Sequence, residues 1–386
     1  MLESVLVYGL LTLVMVACGA IAASREPLYE GYSGIYVKND RFLQPEFIVV
    51  IASFTFVFGC RYCVGVDYIH YLHIYQNVSD RETEWLFQTI TDFLSGNNIH
   101  FAFYFSLWAF IQITLLLYVF KNYRFILPYV LLYLIIGNYF MSMMNIIRQQ
   151  ISALFFLYSI QFIDEKQPLK HYLCLVVAIL FHRSAALLVV IYPILRFKTD
   201  WFRSIWLQVV LLAIAIFLSF RFDLVTKFIE TPFVWFSSAF GFEERYRMGV
   251  LGNEALDDMN RFGVKTGYGI YVSLFKCLPI VLLSKPLKEY YNSSYFNMFY
   301  SLWFVRVFTS FAFGNSITLS RPFVYFMDFG IAIVAFFTYY CFKSKKIGLL
   351  MLGAAMIVVY LITFLFVLSN GELNTSAYTF FWQNIY

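Results

Sequence analysis

The chain has 386 residues, 61% of them hydrophobic and 13% charged, with a net charge of +5. Soluble domains carry about 25% charged residues, and here the apolar residues come in long runs, which assigns the chain to a lipid bilayer rather than to water. The cations are scattered between those runs without a basic stripe, so the positive charge gives no ground for a nucleic-acid partner.

A helix that crosses a bilayer needs about 20 apolar residues. The runs lie near 2–24, 45–60, 101–120, 125–142, 145–163, 170–181, 184–195, 205–220, 266–283, 293–313, 322–341 and 347–369, which predicts about twelve spans. The first run carries Glu3 and no positive n-region, so it reads as a retained span and not as a cleaved leader. The two short runs that flank His182 read as one broken span or a helical hairpin. The expected fold class is all-α: one polytopic transmembrane helical bundle over 1–386. Its long segment at 221–265 is a candidate cap over an outer-face site.

Cations fix the orientation. One alternate set of connections (25–44, 121–124, 164–170, 196–204, 284–292 and 342–346) carries 15 Lys and Arg, against 5 in the other set once the long 221–265 segment is left aside. Positive loops stay in the cytoplasm, so both termini are expected outside. Four polar stretches then share the outer face: RYCVGVDYIHY at 61–71, NIIRQQIS at 145–152, FHRSA at 181–185 and LSRPFVYF at 319–326.

Each stretch carries groups that lipid does not tolerate unpaired. Asn145, Arg148, Gln149 and Ser152 fall at i, i+3, i+4 and i+7, one face of a helix, and such a stripe must meet protein or a wet cavity. Arg61, Gly65, Asp67, Tyr68 and Tyr71 crowd the end of a membrane-length run, where a carboxylate gains nothing unless paired. His182 sits beside Arg183 and Ser184. Arg321, Tyr325 and Asp328 share a face if they are helical, and Arg306 lies inside the preceding run, either as a site residue or as a structural partner of Asp328. Lys276 also lies within a run, with no role evident.

Other chemistries find little support. There is no GxxxxGKT or GxGxxG phosphate loop, no HExxH and no GxSxG. Cys60 and Cys63 form a lone CxxC without the second ligand pair of a zinc site, so neither a metal nor another cofactor is expected. Arginines gathered at the outer boundary of a bilayer, with a carboxylate, an imidazole and phenols, suit a lipid-linked phosphate or diphosphate that carries sugars.

The same residues resemble a known family. RYCVGVDYIHY is similar to the R-x-x-x-G-x-D-Y-x-x-Y signature of the EpsG family, and NIIRQQIS to its N-x-x-R-Q-x-I-A segment, with Ser152 in place of the alanine. FHRSA resembles its H-x-S-A segment, LSRPFVYF its late R-x-x-x-Y-F element, and NTSAYTFFWQNIY its tyrosine-containing tail. His70 and His73 within the tyrosine run depart from the pattern.

The resemblance implies a Wzy-type polysaccharide polymerase with a GT-C-like fold, in the bacterial cytoplasmic membrane and with its site at the outer face. It would join repeat units of exopolysaccharide, capsule or O-antigen on undecaprenyl pyrophosphate, beside a flippase and a chain-length regulator. Arg148 and Arg321 would then bind the donor diphosphate, and Asp67 or His182 would be the base. Arg61 would orient Asp67 or bind a second carrier. Gly65, Tyr68, Tyr71, Asn145, Gln149, Ser184, Tyr325 and Arg306 would line the substrate site. A ligase with the same donor, a flippase of the lipid-linked glycan and a membrane O-acyltransferase are the rival readings.

Overall fold

The computed structural model describes residues 2–25, 42–76, 83–197, 199–222, 224–225, 268–314, 317–371, 375 and 377–384. Nearly all of the expected cap at 221–265 lies outside the described residues, as do parts of the 314–321 connection and the final tail. The described residues are helical and form no β-sheet; a single antiparallel bridge joins Arg61 to Phe380.

The α-helices in chain order are α1 (Leu2–Ser24), α2 (Pro45–Gly59), α3 (Tyr68–Tyr75), α4 (Trp85–Gly96), α5 (Phe101–Phe120), α6 (Leu127–Ile136), α7 (Tyr139–Asn145), α8 (Ile147–Asp164) and α9 (Pro168–Phe181). After a 3-10 segment over Arg183–Val190 come α10 (Ile191–Leu195), α11 (Ile205–Phe220), α12 (Tyr268–Leu282), α13 (Ser284–Tyr291), α14 (Ser294–Ala312) and the single turn α15 (Ile317–Ser320). The second of the two longer 3-10 segments, Arg321–Phe326, leads into α16 (Asp328–Lys343), and α17 (Ile347–Ser369) follows; shorter 3-10 turns lie at Arg124–Ile126 and Phe381–Asn384.

Among the described residues, four helical stretches are long and apolar enough to cross a membrane: Leu2–Ser24, Phe101–Phe120, Arg321–Lys343 and Ile347–Ser369. Counting each of two bent pairs as one span gives up to six, one pair bent by 62° between Ile136 and Tyr139 and the other by 56° between Leu282 and Ser284. The figure of about twelve treats shorter helices as spans. α2, α9 and α11 have only 15, 14 and 16 residues, and at 1.5 Å per residue none reaches the roughly 30 Å of a hydrocarbon core. The positions of the helices nonetheless follow the apolar runs closely.

Burial patterns sort the helices into layers. α16 buries thirteen of its sixteen residues and forms the middle of the bundle. α1 buries Ser4, Tyr8, Leu11, Met15, Gly19 and Ala22, one stripe at spacings of three and four, while Leu6, Leu10 and Leu13 face outward. α17 behaves likewise, with Gly353, Met356, Tyr360, Phe364 and Leu368 inward. Helices apolar all round with only one buried stripe suit a lipid surround. α2 packs along α5, where a Cβ on Gly59 would overlap Ser106. α8 lies between α5 and α9.

The chain closes on the loop at 60–67 between α2 and α3, the front loop. Tyr62 N–H donates to the Thr379 carbonyl at 2.9 Å and Phe381 N–H to the Cys60 carbonyl at 3.0 Å. The Tyr378 hydroxyl donates to the Val57 carbonyl, and Tyr378 N–H donates to Ser4 Oγ at 2.8 Å.

Candidate functional site

The polar stripe of NIIRQQIS is not one continuous helix. Ile146 adopts φ −102° and ψ 52°, so α7 ends at Asn145 and α8 starts at Ile147. Asn145 therefore leaves the face that carries Arg148 and turns to the front loop. There its Oδ1 accepts from Asp67 N–H at 3.4 Å. Gly65, at φ +98°, sits against the same oxygen, and a Cβ there would come within 2.7 Å of it. A residue with a side chain would be strained by the backbone angle and would collide with Asn145. Gly65 and Asn145 thus shape the loop that presents Asp67.

Arg61 is also absorbed by the scaffold. It is 2% exposed. Its Nε donates to the Val64 carbonyl at 3.1 Å, its Nη2 to the Met144 carbonyl at 3.2 Å, and its Nη1 to the Phe58 carbonyl. The guanidinium lies 5.6 Å from the Tyr68 ring and 5.1 Å from the Phe105 ring, and those two rings stack at 4.6 Å. With three carbonyls and two aromatic faces around it, Arg61 joins the end of α2 to the end of α7. Tyr68 is its aromatic floor. The expected role in orienting Asp67 or gripping a second carrier gives way to this one, because its three donor nitrogens are all directed at main-chain oxygens.

Arg148 has the opposite surroundings. It is the second residue of α8, and its Nη1 donates to Glu84 Oε2 in an ion pair. His182 Nδ1 lies 2.6 Å from the other oxygen, Glu84 Oε1. One carboxylate thus bridges a guanidinium and an imidazole from two other elements. Glu84 is the N-cap residue of α4, and His182 stands just beyond the last turn of α9, with backbone angles of φ −157° and ψ 114° that break the helix and aim the ring at Glu84. Arg148 Nε is buried with no partner among the described residues, and the Phe87 ring lies 5.7 Å from the guanidinium. The Tyr71 hydroxyl adjoins Arg148, and Asp67 lies within electrostatic reach of Tyr71.

Burial alone would raise the Glu84 pKa. The hydrogen bond with His182 and the charge of Arg148 outweigh it and hold the carboxyl down at about 2, from an ordinary 4.5. Glu84 is therefore an anion at any working pH.

Three further contacts draw the late motif into the cluster. The Ser184 hydroxyl lies 2.7 Å from the Tyr325 hydroxyl. Tyr325 also adjoins Ser152 and feels the charge of Glu84. Gln149 Nε2 donates to the Arg321 carbonyl at 3.1 Å, which ties the residue after Arg148 to the start of the second 3-10 segment.

That segment corrects another expectation. Arg321, Tyr325 and Asp328 would share a face on an α-helix, but a 3-10 helix turns every three residues. Arg321 is exposed, while Tyr325 and Asp328 are fully buried. Asp328 Oδ2 accepts from Gln150 Nε2 at 2.8 Å, and no ion pair joins Asp328 to Arg306 among the described residues. Arg306 lies near Tyr139 in the helix packing, apart from the Glu84 cluster.

The structure thus brings together Arg148, His182, Tyr71, Ser184 and Tyr325, with Arg321 tethered through Gln149 and Asp67 at the edge. It sets Arg61, Tyr68, Gly65 and Asn145 in a supporting layer and Arg306 in a separate one. Glu84 was missed by sequence reasoning. It stands in RETEW at 81–85, outside any apolar run or helical stripe. Its one legible signal is an acidic residue directly before an amphipathic helix.

The described residues thus belong to a helical membrane protein that gathers guanidinium, carboxylate, imidazole and phenol groups in one cluster around Glu84. More particularly, the sequence profile of the EpsG family matches residues 46–381, and the chain belongs to that family. Comparison with curated proteins and with solved structures gives no match.

Proposed function

We propose that the protein is a membrane glycosyltransferase that polymerises oligosaccharide repeat units carried on undecaprenyl diphosphate, at the outer face of the bacterial cytoplasmic membrane. Membership of the EpsG family is consistent with such a role. The observation that carries the reading is the Glu84 bridge between His182 and Arg148.

Glu84 holds His182 through Nδ1 and leaves Nε2 to face an acceptor. In the transfer, the acceptor sugar hydroxyl attacks the anomeric carbon of the growing chain and gives its proton to His182 Nε2. The bond from that carbon to the carrier diphosphate breaks, and the diphosphate departs with the electron pair. Diphosphate needs little help as a leaving group, and Arg148 and Arg321 stabilise the charge that develops on it. Of the two candidate bases, His182 is favoured over Asp67, because Glu84 is placed to orient the imidazole and to stabilise its cation, whereas Asn145 holds Asp67 through its main-chain N–H. Asp67 and Tyr71 are left to position sugar hydroxyls.

The test is incubation of the purified protein with a defined undecaprenyl-diphosphate oligosaccharide. A ladder of products lengthened by whole repeat units on the same lipid is expected. A single transfer to a different acceptor, or no lengthening in detergent, would overturn the reading.

A further inference from the structure

Two guanidiniums beside the site have no partner among the described residues. Arg183 and Arg321 are both exposed, and neither side chain makes a hydrogen bond or ion pair with the described residues. Each is the first residue of a 3-10 segment, Arg183–Val190 or Arg321–Phe326. The 2.7 Å Ser184–Tyr325 contact joins the two segments one residue after Arg183 and four after Arg321. Arg148, by contrast, already has its counter-ion in Glu84.

The first segment adds a second feature. Eight residues is long for a 3-10 helix, where runs beyond three or four are uncommon. With three residues per turn, Arg183, Ala186 and Val189 eclipse one another on an exposed edge, and Leu187 and Val190 are exposed beside them. Ala185 and Leu188 are the buried pair on the other side. A cation therefore heads an apolar strip about 12 Å long at roughly 2 Å per residue. That is the shape of an amphiphile with an anionic head and a hydrocarbon tail.

The geometry points to Arg183 as a carrier-binding residue that, with Arg321, clamps the diphosphate of a polyprenyl lipid while the first isoprene units lie along Ala186 and Val189. A diphosphate diester carries two negative charges, one for each uncommitted guanidinium, and Arg forks match phosphate oxygens. The inference rests on the reading of the site as one for a lipid-linked diphosphate and deepens it by adding a residue and a seat for the tail.

Binding of farnesyl diphosphate to the purified full chain in detergent tests this without any need for turnover. The wild type is expected to bind it at least tenfold more tightly than either inorganic pyrophosphate or farnesol. Arg183→Ala should lose at least tenfold in affinity and Arg183→Lys less. Val189→Gln should weaken farnesyl diphosphate and leave pyrophosphate unchanged. Arg203→Ala, an exposed residue in the connection between α10 and α11, should bind as the wild type does and serves as the control. Elution as a single species on size exclusion shows that each variant is folded. Wild-type affinity in Arg183→Ala would overturn the clamp, and pyrophosphate binding as tightly as farnesyl diphosphate would overturn the lipid seat. Protein that binds through Arg183 yet never lengthens a repeat unit would remove the polymerase reading and leave the clamp standing. Elongation unaffected by Arg183→Ala would do the reverse.

Discussion

Arg61 and Arg148 are close neighbours in space. Arg61 reaches the Met144 carbonyl, and Arg148 lies four residues later, in the first turn of α8. Both belong to stretches that resemble motifs of the family, and both are largely buried. What differs is the partner. Arg61 faces three main-chain carbonyls, which cannot move away or change charge. Arg148 faces a side-chain carboxylate that is itself shared with an imidazole, and its Nε is unpartnered among the described residues. A guanidinium fixed to backbone holds a fold together. One fixed to an exchangeable anion can also turn to a substrate phosphate. Motif membership alone does not separate the two cases.

Substitution at the two arginines should break this comparison most sharply if it is wrong. Arg148→Ala is expected to lower elongation by at least a hundredfold, about 3 kcal/mol of transition-state stabilisation, while the protein still elutes as a single folded species. Arg61→Ala should instead lower the yield of folded protein, since it leaves three carbonyls unmet at roughly 1–3 kcal/mol each. Its activity per folded molecule should fall far less. Equal specific activities of the two variants, read from product ladders after size exclusion, would erase the distinction.

His182→Ala should cost about a hundredfold or more in kcat, as expected for loss of a general base. Glu84→Gln should cost about tenfold, mostly in kcat, because the imidazole keeps its place but loses the anion beside it. An Asp67→Asn variant that lost more activity than His182→Ala would move the base to the front loop.

Glu84 also sharpens the comparison through pH. Its carboxyl is held below its unfolded value, so its ionised form stabilises the fold above about pH 4.5, and that contribution disappears as pH falls through about 2. Wild type should unfold at a higher temperature than Glu84→Gln at pH 7, and the gap should narrow progressively below pH 4.5. A gap that is constant down to pH 3 would mean the carboxylate is not held by Arg148 and His182. The smallest effect is expected at Gly65→Ala, which should destabilise by about 1–3 kcal/mol through its positive φ and its contact with Asn145, seen as a lower unfolding temperature.

Helix positions were readable from the sequence because lipid demands long apolar runs, and the runs at 2–24, 101–120 and 347–369 match their helices to within a residue or two. The breaks were not readable. Nothing in the apolar pattern marks Ile146 as the end of a helix, or 183–190 and 321–326 as 3-10 turns, since their residues differ little from those of an α-helix. Those breaks decide which polar groups share a face, so the pairing of Arg148 with Glu84, and the burial of Tyr325 beside an exposed Arg321, could not be obtained from spacing. Glu84 itself lies in a short polar stretch where no period exists to single it out.

The contacts between the front loop and the residues near 380 bear on how the protein is made. The carbonyl that receives Tyr62 N–H belongs to Thr379, which is synthesised 317 positions later. Any ribosome that stops short of residue 378 leaves the segment bearing Asp67 and Tyr71 unfastened, with Arg61 holding it from one side only. Such a truncated product could insert its helices normally and still lack a fastened front loop, so assembly of the site awaits nearly the whole of translation.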